Sequence, residues 1–190
     1  MADQGRARPA GTNAKLPLSV SLPPLLSDGT DGEFRRLIYR MLIAEARLVD
    51  IRKAIGRQIG VSGAQYTIMM AILHLEADTG VSVSGLAAYL EVTGPHITGE
   101  VRRLAARGLV RKAANPNDMR GVQLRLSAEG RRRLLGAFAF IRQANDILFD
   151  GVSRDEFRTL SAFHEKFIGN TARALQWTRQ SSRRGHVSAA

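Results

Sequence analysis

Three observations predict a mainly α chain with one small β-hairpin. Apolar residues recur at three- and four-residue spacing along most of residues 31–175. Clean alternation is confined to Val122-Gln123-Leu124-Arg125-Leu126. A turn-rich run, Asn115 to Gly121, separates that segment from Leu109-Val110-Arg111-Lys112, so the two short segments face each other as a hairpin.

Residues 1–30 hold few large apolar groups, and Pro17, Pro23 and Pro24 forbid a helix there. They are expected to form a flexible arm with a docked part near its end. From Asp31 to about Arg57 an amphipathic helix is marked by Phe34, Leu37, Ile38, Met41, Leu42, Leu48, Ile51 and Ile55. Ser62-Gly63-Ala64-Gln65 has the capping-box form, so a second helix opens there. It runs through Leu75, is apolar nearly all round, and belongs at the centre of the fold. Ser82 or Ser84 can cap a third helix ending near Leu90.

Thr93-Gly94-Pro95 starts a fourth helix, with Thr93 suited to the cap and Pro95 tolerated in a first turn. Spacing turns Ile97, Val101 and Leu104 inward and leaves His96, Thr98, Gly99, Arg102 and Arg103 outward; Gly108 stops the helix. After the hairpin, Ser127 caps a fifth helix carrying Leu134, Leu135, Phe138, Ile141, Ile147 and Leu148. Ser153-Arg154-Asp155-Glu156 is a full capping box that opens a sixth, striped by Phe157, Leu160, Phe163, Phe167 and Leu175. From about Thr178 the chain reads as a fraying tail.

Two short helices, the second bearing cations, followed by a hairpin, form the order of a winged helix-turn-helix. In that motif one helix enters the DNA major groove while a β-ribbon leans on the neighbouring backbone. Charge agrees. The chain has 28 Lys plus Arg against 17 Asp plus Glu, a net charge of +11. Eleven basic residues fall between Glu100 and Arg142, opposed only by Glu100, Asp118 and Glu129, so +8 is concentrated there. Such a surface attracts phosphate. Thr93, Pro95 and His96 would point into the groove, Thr98 would meet a phosphate or a thymine methyl, and Arg102 or Arg103 would pair with guanine or phosphate. Arg120 at the hairpin tip suits a narrow minor groove, with Asp118 two residues earlier to orient it.

The chain resembles the MarR family of bacterial transcriptional regulators. The resemblance rests on Leu86-Ala87-Ala88-Tyr89-Leu90, on VRRLAARGL from Val101 to Leu109, and on NPNDMRGVQLRLSAEG from Asn115 to Gly130. Met119, where the family often has Arg, and Gly85, where an acidic residue is common, depart from the pattern. The resemblance implies a homodimer intertwined through residues 31–60 and 127–177, a winged helix-turn-helix at 61–126, and a flexible tail at 178–190. It also implies a repressor released from a pseudo-palindromic operator by a small aromatic or amphipathic acid or its coenzyme A thioester. Tyr39, Arg40, Arg47, Tyr66, Met70 and His74 are the residues expected to line that effector's site, with either arginine receiving a carboxylate.

The alternative is an effector-independent architectural or partner-binding winged-helix protein. An enzyme is not expected: there is no Gly-rich phosphate loop, nucleophile elbow or metal cluster in the sequence, and no cofactor is implied. The four histidines lack metal-ligand spacing. The absence of cysteine excludes disulfides and thiol chemistry and fits a cytoplasmic protein. No apolar run is long enough to cross a bilayer, so no membrane partner is expected.

Overall fold

The computed structural model describes residues 16–77, 79–115 and 118–187, with the backbone alone described at 114, 115, 118–121 and 183–187. Seven helices and a three-stranded antiparallel sheet are described. They divide between Ala137 and Phe138 into two compact units.

In the first unit, a 3-10 turn at Pro23–Leu25 precedes helix α1, Gly32–Gln58. The docked part of the arm is held by one carboxylate. Asp31 accepts from the Ser19 amide at 2.6 Å, the Ser19 hydroxyl at 2.5 Å and the Arg35 Nε at 2.9 Å. Arg35 also donates to the Pro17 carbonyl. These bonds hold the Asp31 carboxyl well below the usual carboxylate range, the Arg35 bond contributing most. Of α1 only Ile55 and Gly56 are buried; Leu37, Leu42, Ile43 and Leu48 stay exposed.

Helix α2, Gly63–Leu75, opens with the expected capping box: the Gln65 amide donates to Ser62 Oγ and the Ser62 amide to Gln65 Oε1. It touches α1, α3, α4, α5 and the sheet. Met69 and Ile72 are fully buried, as its all-round apolar character requires. Strand β1, Val81–Ser82, follows; at two residues it is too short to leave an alternation signal, and the sequence reading does not contain it. Helix α3 is Val83–Tyr89, and of the two serines offered as its cap it is Ser82 that accepts from the Gly85 amide.

Helix α4 spans Gly94–Ala106, and strands β2, Val110–Asn115, and β3, Asp118–Leu126, form the hairpin. The sheet order is β1-β3-β2. The hairpin is longer than expected. Asn115 and Asp118 to Gly121 lie in the strands, and positions 116 and 117 are outside the described residues. The pairing of Asn115 with Asp118 overrides the turn preference of those two residues, and the register shifts between Ala114 and Asn115.

The expected fifth helix is two. Helix α5, Ala128–Gly136, ends where the Ala137 amide turns back to the Leu134 carbonyl, and α6, Phe138–Leu148, begins the second unit. Helix α7, Arg154–Val187, starts with the Ser153–Glu156 capping box. It stays helical past Thr178, where a fraying tail is expected from sequence. Phe157, Leu160, Phe163 and Leu175 remain exposed along it.

Candidate nucleic-acid interface

The site is built from the back of α4 outward. Ile97 and Leu104 are fully buried and Val101 nearly so, which fixes the helix against α2 and the sheet. Thr93 stands at the cap position, yet its side chain makes no cap hydrogen bond, and Pro95 occupies the first turn. The Thr98 hydroxyl donates to the Gly94 carbonyl at 3.0 Å. A Cβ added at Gly94 or Gly99 would meet nothing within 4 Å, so neither glycine is demanded by the chain's own packing.

The starts of α3 and α4 and strand β3 share one open face. Ser82, Val83, Ser84, Gly94, Pro95, Thr98, Gly99, Arg102 and Val122 line a groove of about 870 Å³. Thr93, Pro95, His96, Thr98 and Arg102 are exposed. Of the predicted contacts, Pro95, Thr98 and Arg102 therefore lie in the groove itself. Arg102 has no acidic partner among the described residues, so its guanidinium is available to an anion.

Arg103 has a different setting. It donates through Nη2 to Glu100 Oε1 at 2.5 Å and through Nε to Glu100 Oε2 at 3.3 Å. Glu100 also accepts from Gln65 Nε2 at 3.1 Å. The Arg103 bond chiefly, and then the Gln65 bond, keep the Glu100 carboxyl below its ordinary value against the opposing effect of burial. In the sequence Glu100 is only an acid diluting a basic stretch. In the fold it is a buried tie between α4 and the capping box of α2. The Glu100–Arg103 spacing of three on a helix was the available signal.

Other cations of that stretch are also engaged. Arg131 pairs with the buried Glu76, and Arg132 and Arg133 both pair with Glu129. Their bonds, Arg133 first, lower the Glu129 carboxyl. Arg107 donates to the Gly60 carbonyl at 2.5 Å. Exposed cations remain at Arg111 and Lys112 on β2. Arg111 stands opposite Arg125 across the ladder, a like-charge pairing that an anionic partner would relieve. Asp118 and Arg120 lie on β3, but their side chains are outside the described residues.

The expected effector residues are scattered. Tyr39 and Arg47 are exposed on α1. Arg40 lines a cleft of about 500 Å³ with Pro24, Leu25, Leu26, Glu33, Phe34, Arg36 and Leu37. Tyr66 is buried with the Arg52 guanidinium over its ring at 5.7 Å, and burial pushes its hydroxyl up from the usual phenol value. Met70 is half-buried, and His74 is exposed with its ring 5.7 Å from that of Tyr89. These six do not share a described cleft. No group of acids and histidines able to hold a metal occurs among the described residues, and no described helix is long and apolar enough to cross a membrane.

Residues 59–121 match the sequence model of the MarR family. The fold is similar to that of a mutant MarR from E. coli complexed with operator DNA, with a TM-score of 0.60 at 21% identity over 71% of this chain and 95% of that one. It is similar to MepR of S. aureus in a DNA complex, with a TM-score of 0.62 at 15% identity over 79% of this chain and 99% of that one. It is also similar to BpsR of Bordetella bronchiseptica, whose DNA binding is regulated by 6-hydroxynicotinic acid, with a TM-score of 0.57 at 21% identity over 68% and 90%. No curated protein matches the chain. The architecture is that of the winged-helix MarR structures.

Proposed function

We propose that this chain, which is of the MarR family in its residues 59–121, is a dimeric cytoplasmic repressor that binds a pseudo-palindromic DNA operator and is released by a small organic acid or its thioester. The carrying observation is the single face shared by α3, α4 and β3, where Pro95, Thr98 and Arg102 border one groove and the wing strand supplies its far wall. In this reading Thr93, Pro95, His96 and Thr98 meet base edges and adjacent phosphates. Arg102 and Arg103 supply cationic contacts, and Arg120, oriented by Asp118, follows the minor groove. That similar folds occur in complexes with DNA supports a DNA-binding use of this fold.

Dimerisation is supported by the apolar residues that a single chain leaves uncovered: Leu37, Leu42 and Ile43 on α1, and Phe157, Leu160 and Phe163 on α7. Two copies related by a twofold axis would present two reading helices to successive major grooves, roughly 34 Å apart. An effector that binds better to a form with the wrong head separation lowers operator affinity by shifting the population. Regulation of BpsR by 6-hydroxynicotinic acid supports an organic acid in that role.

The test is a gel-shift titration of a palindromic operator at increasing salt. Affinity should fall steeply as salt rises, because phosphate contacts release counterions. Arg120→Ala should weaken binding while sedimentation still reports a dimer. Operator affinity indifferent to salt, or a monomer with full affinity, would defeat the proposal.

A further inference from the structure

Helix α7 changes character along its length. Its opening turns hold Asp155, Glu156 and Glu165 against Arg154 and Arg158. No Asp or Glu follows Glu165 in the chain, whereas Lys166, Arg173, Arg179, Arg183 and Arg184 do follow. Lys166 and Arg179 have no acidic partner among the described residues, and Arg173 donates to the neutral Asn170 Oδ1 at 2.6 Å. Residues from Ile168 to Ser182 are all exposed, so no described part of the chain covers this half of the helix. The helix dipole accounts for cations in the last turn, Arg184 among them, because its effect fades within one turn. Lys166, Arg173 and Arg179 lie about two or more turns earlier and are not explained by it. At helical spacing Lys166, Arg173, Trp177 and Arg184 fall within about 40° of one another round the axis. They form a stripe about 27 Å long, about a third of a turn round from Phe157, Leu160, Phe163 and Phe167. Association through that apolar face leaves the stripe open. Trp177 stands in the middle of the stripe and is 67% exposed.

We propose that the second half of α7 is a further, sequence-independent contact for duplex DNA. Lys166, Arg173 and Arg184 meet backbone phosphates, and the Trp177 ring lies against the sugar edge with its Nε1–H donating to a phosphate. The choice of DNA among polyanions rests on the regulator reading. Duplex DNA carries one charge for about every 1.7 Å of its axis, so a stripe of this length meets phosphates in any sequence. An anionic lipid surface would demand an apolar face able to sink below the headgroups. From Gln176 to His186 the one large apolar side chain is Trp177, so this end of the helix has no such face. The contact supplies affinity and leaves the selection of bases to α4.

Trp177 is the chain's only tryptophan, so its fluorescence reports this helix and not the reading head. The full chain is titrated with a duplex of random sequence, with the palindromic operator, and with vesicles of phosphatidylglycerol and phosphatidylcholine. Random duplex should change the Trp177 emission saturably, and added salt should reverse the change. The double variant Lys166→Gln/Arg173→Gln, at exposed positions, should melt like the parent. It should bind random duplex about tenfold more weakly, with a salt slope shallower by about 2. Operator and random duplex should weaken by the same factor, since the lost contacts read no base. A Trp177 emission that ignores duplex while vesicles change it makes the helix a lipid contact and overturns the proposal. A double variant with the parent's salt slope overturns it as well. Gel shifts on the same samples separate the two readings. Operator preference with a Trp177 emission silent on every duplex keeps the regulator and sinks the stripe. An emission that responds to random duplex, in a chain without operator preference, sinks the regulator and keeps the stripe.

Discussion

Gly130 closes the signature that follows the wing, and the fold supplies a reason that can be measured. A Cβ added there would lie 2.1 Å from the Leu109 carbonyl oxygen, whereas real contacts of this kind do not fall under 3.0 Å. The two backbones would have to part by 3.0 − 2.1 = 0.9 Å. Leu109 is fully buried at the start of the hairpin, and its carbonyl accepts from the Ser127 amide at 3.0 Å. Ser127 in turn caps α5 by accepting from the Gly130 amide, and donates to the Gly108 carbonyl. Gly130→Ala therefore forces apart a junction where four backbone groups meet. Overpacking of this kind costs about 1–3 kcal/mol and loss of the Ser127–Leu109 bond about 1 kcal/mol, so the sum is about 2–4 kcal/mol. In a chain of this size that lowers the melting temperature by roughly 5–15 °C. Gly136→Ala is the control: its added Cβ meets nothing within 4 Å, and removing glycine from a helix should stabilise by about 0.5–1 kcal/mol. Thermal melts of the three proteins decide it. A Gly130→Ala protein melting within about 1 °C of the parent would refute the steric reasoning.

Three further outcomes are expected. Glu76→Ala should destabilise by about 2–3 kcal/mol in urea unfolding, because it leaves the buried Leu126 amide without its acceptor and Arg131 without its carboxylate. The Ser19–Asp31–Arg35 latch should hold at neutral pH. Asp31 has its folded-state value depressed below the ordinary 3.8, so its contribution is complete above that value and is lost as pH falls through the lower folded one. Hydrogen exchange of the Ser19 amide should therefore be slow at pH 6 and fast in Asp31→Asn at the same pH; equal protection in both proteins would show that the carboxylate does not hold the arm. Arg102→Ala should reduce operator affinity and the salt slope with little change in melting, whereas Arg103→Ala should cost stability as well, since it leaves the Glu100 carboxylate with Gln65 alone. Identical behaviour of the two variants would remove the distinction.

Helix order and caps were legible because they are local. Ser62, Ser127 and Ser153 act as caps where their spacing to the next helix predicts. The break at Ala137 was not legible: Leu134, Leu135, Phe138 and Ile141 keep a helical spacing straight through it. Strand β1 left no trace because its two residues are set by pairing with Gln123 and Leu124, far along the chain. The length of the hairpin was hidden for the same reason. Asn115 and Asp118 carry turn propensity, and only the opposite strand decides that they pair instead.

The charge count illustrates how partnership changes the meaning of a residue type. Eleven cations between Glu100 and Arg142 look like one phosphate-binding surface. In the fold Arg103, Arg131, Arg132 and Arg133 are each bound to a carboxylate, and Arg107 to a carbonyl. Arg131 fastens α5 to Glu76 and Arg107 ties the end of α4 to Gly60, while Arg103, Arg132 and Arg133 are held within their own helices. An arginine in such a pair can still face phosphate, but its carboxylate cancels much of the field it would project. On α4 and β2 the described cations without a carboxylate are Arg102, Arg111 and Lys112, and on the proposed reading they carry the long-range attraction for DNA there. Those three belong to the two elements that a winged helix brings to duplex DNA, the reading helix and the wing. The functional conclusion drawn from charge thus survives on fewer residues than the sequence suggests, and on ones whose placement, rather than number, supports it.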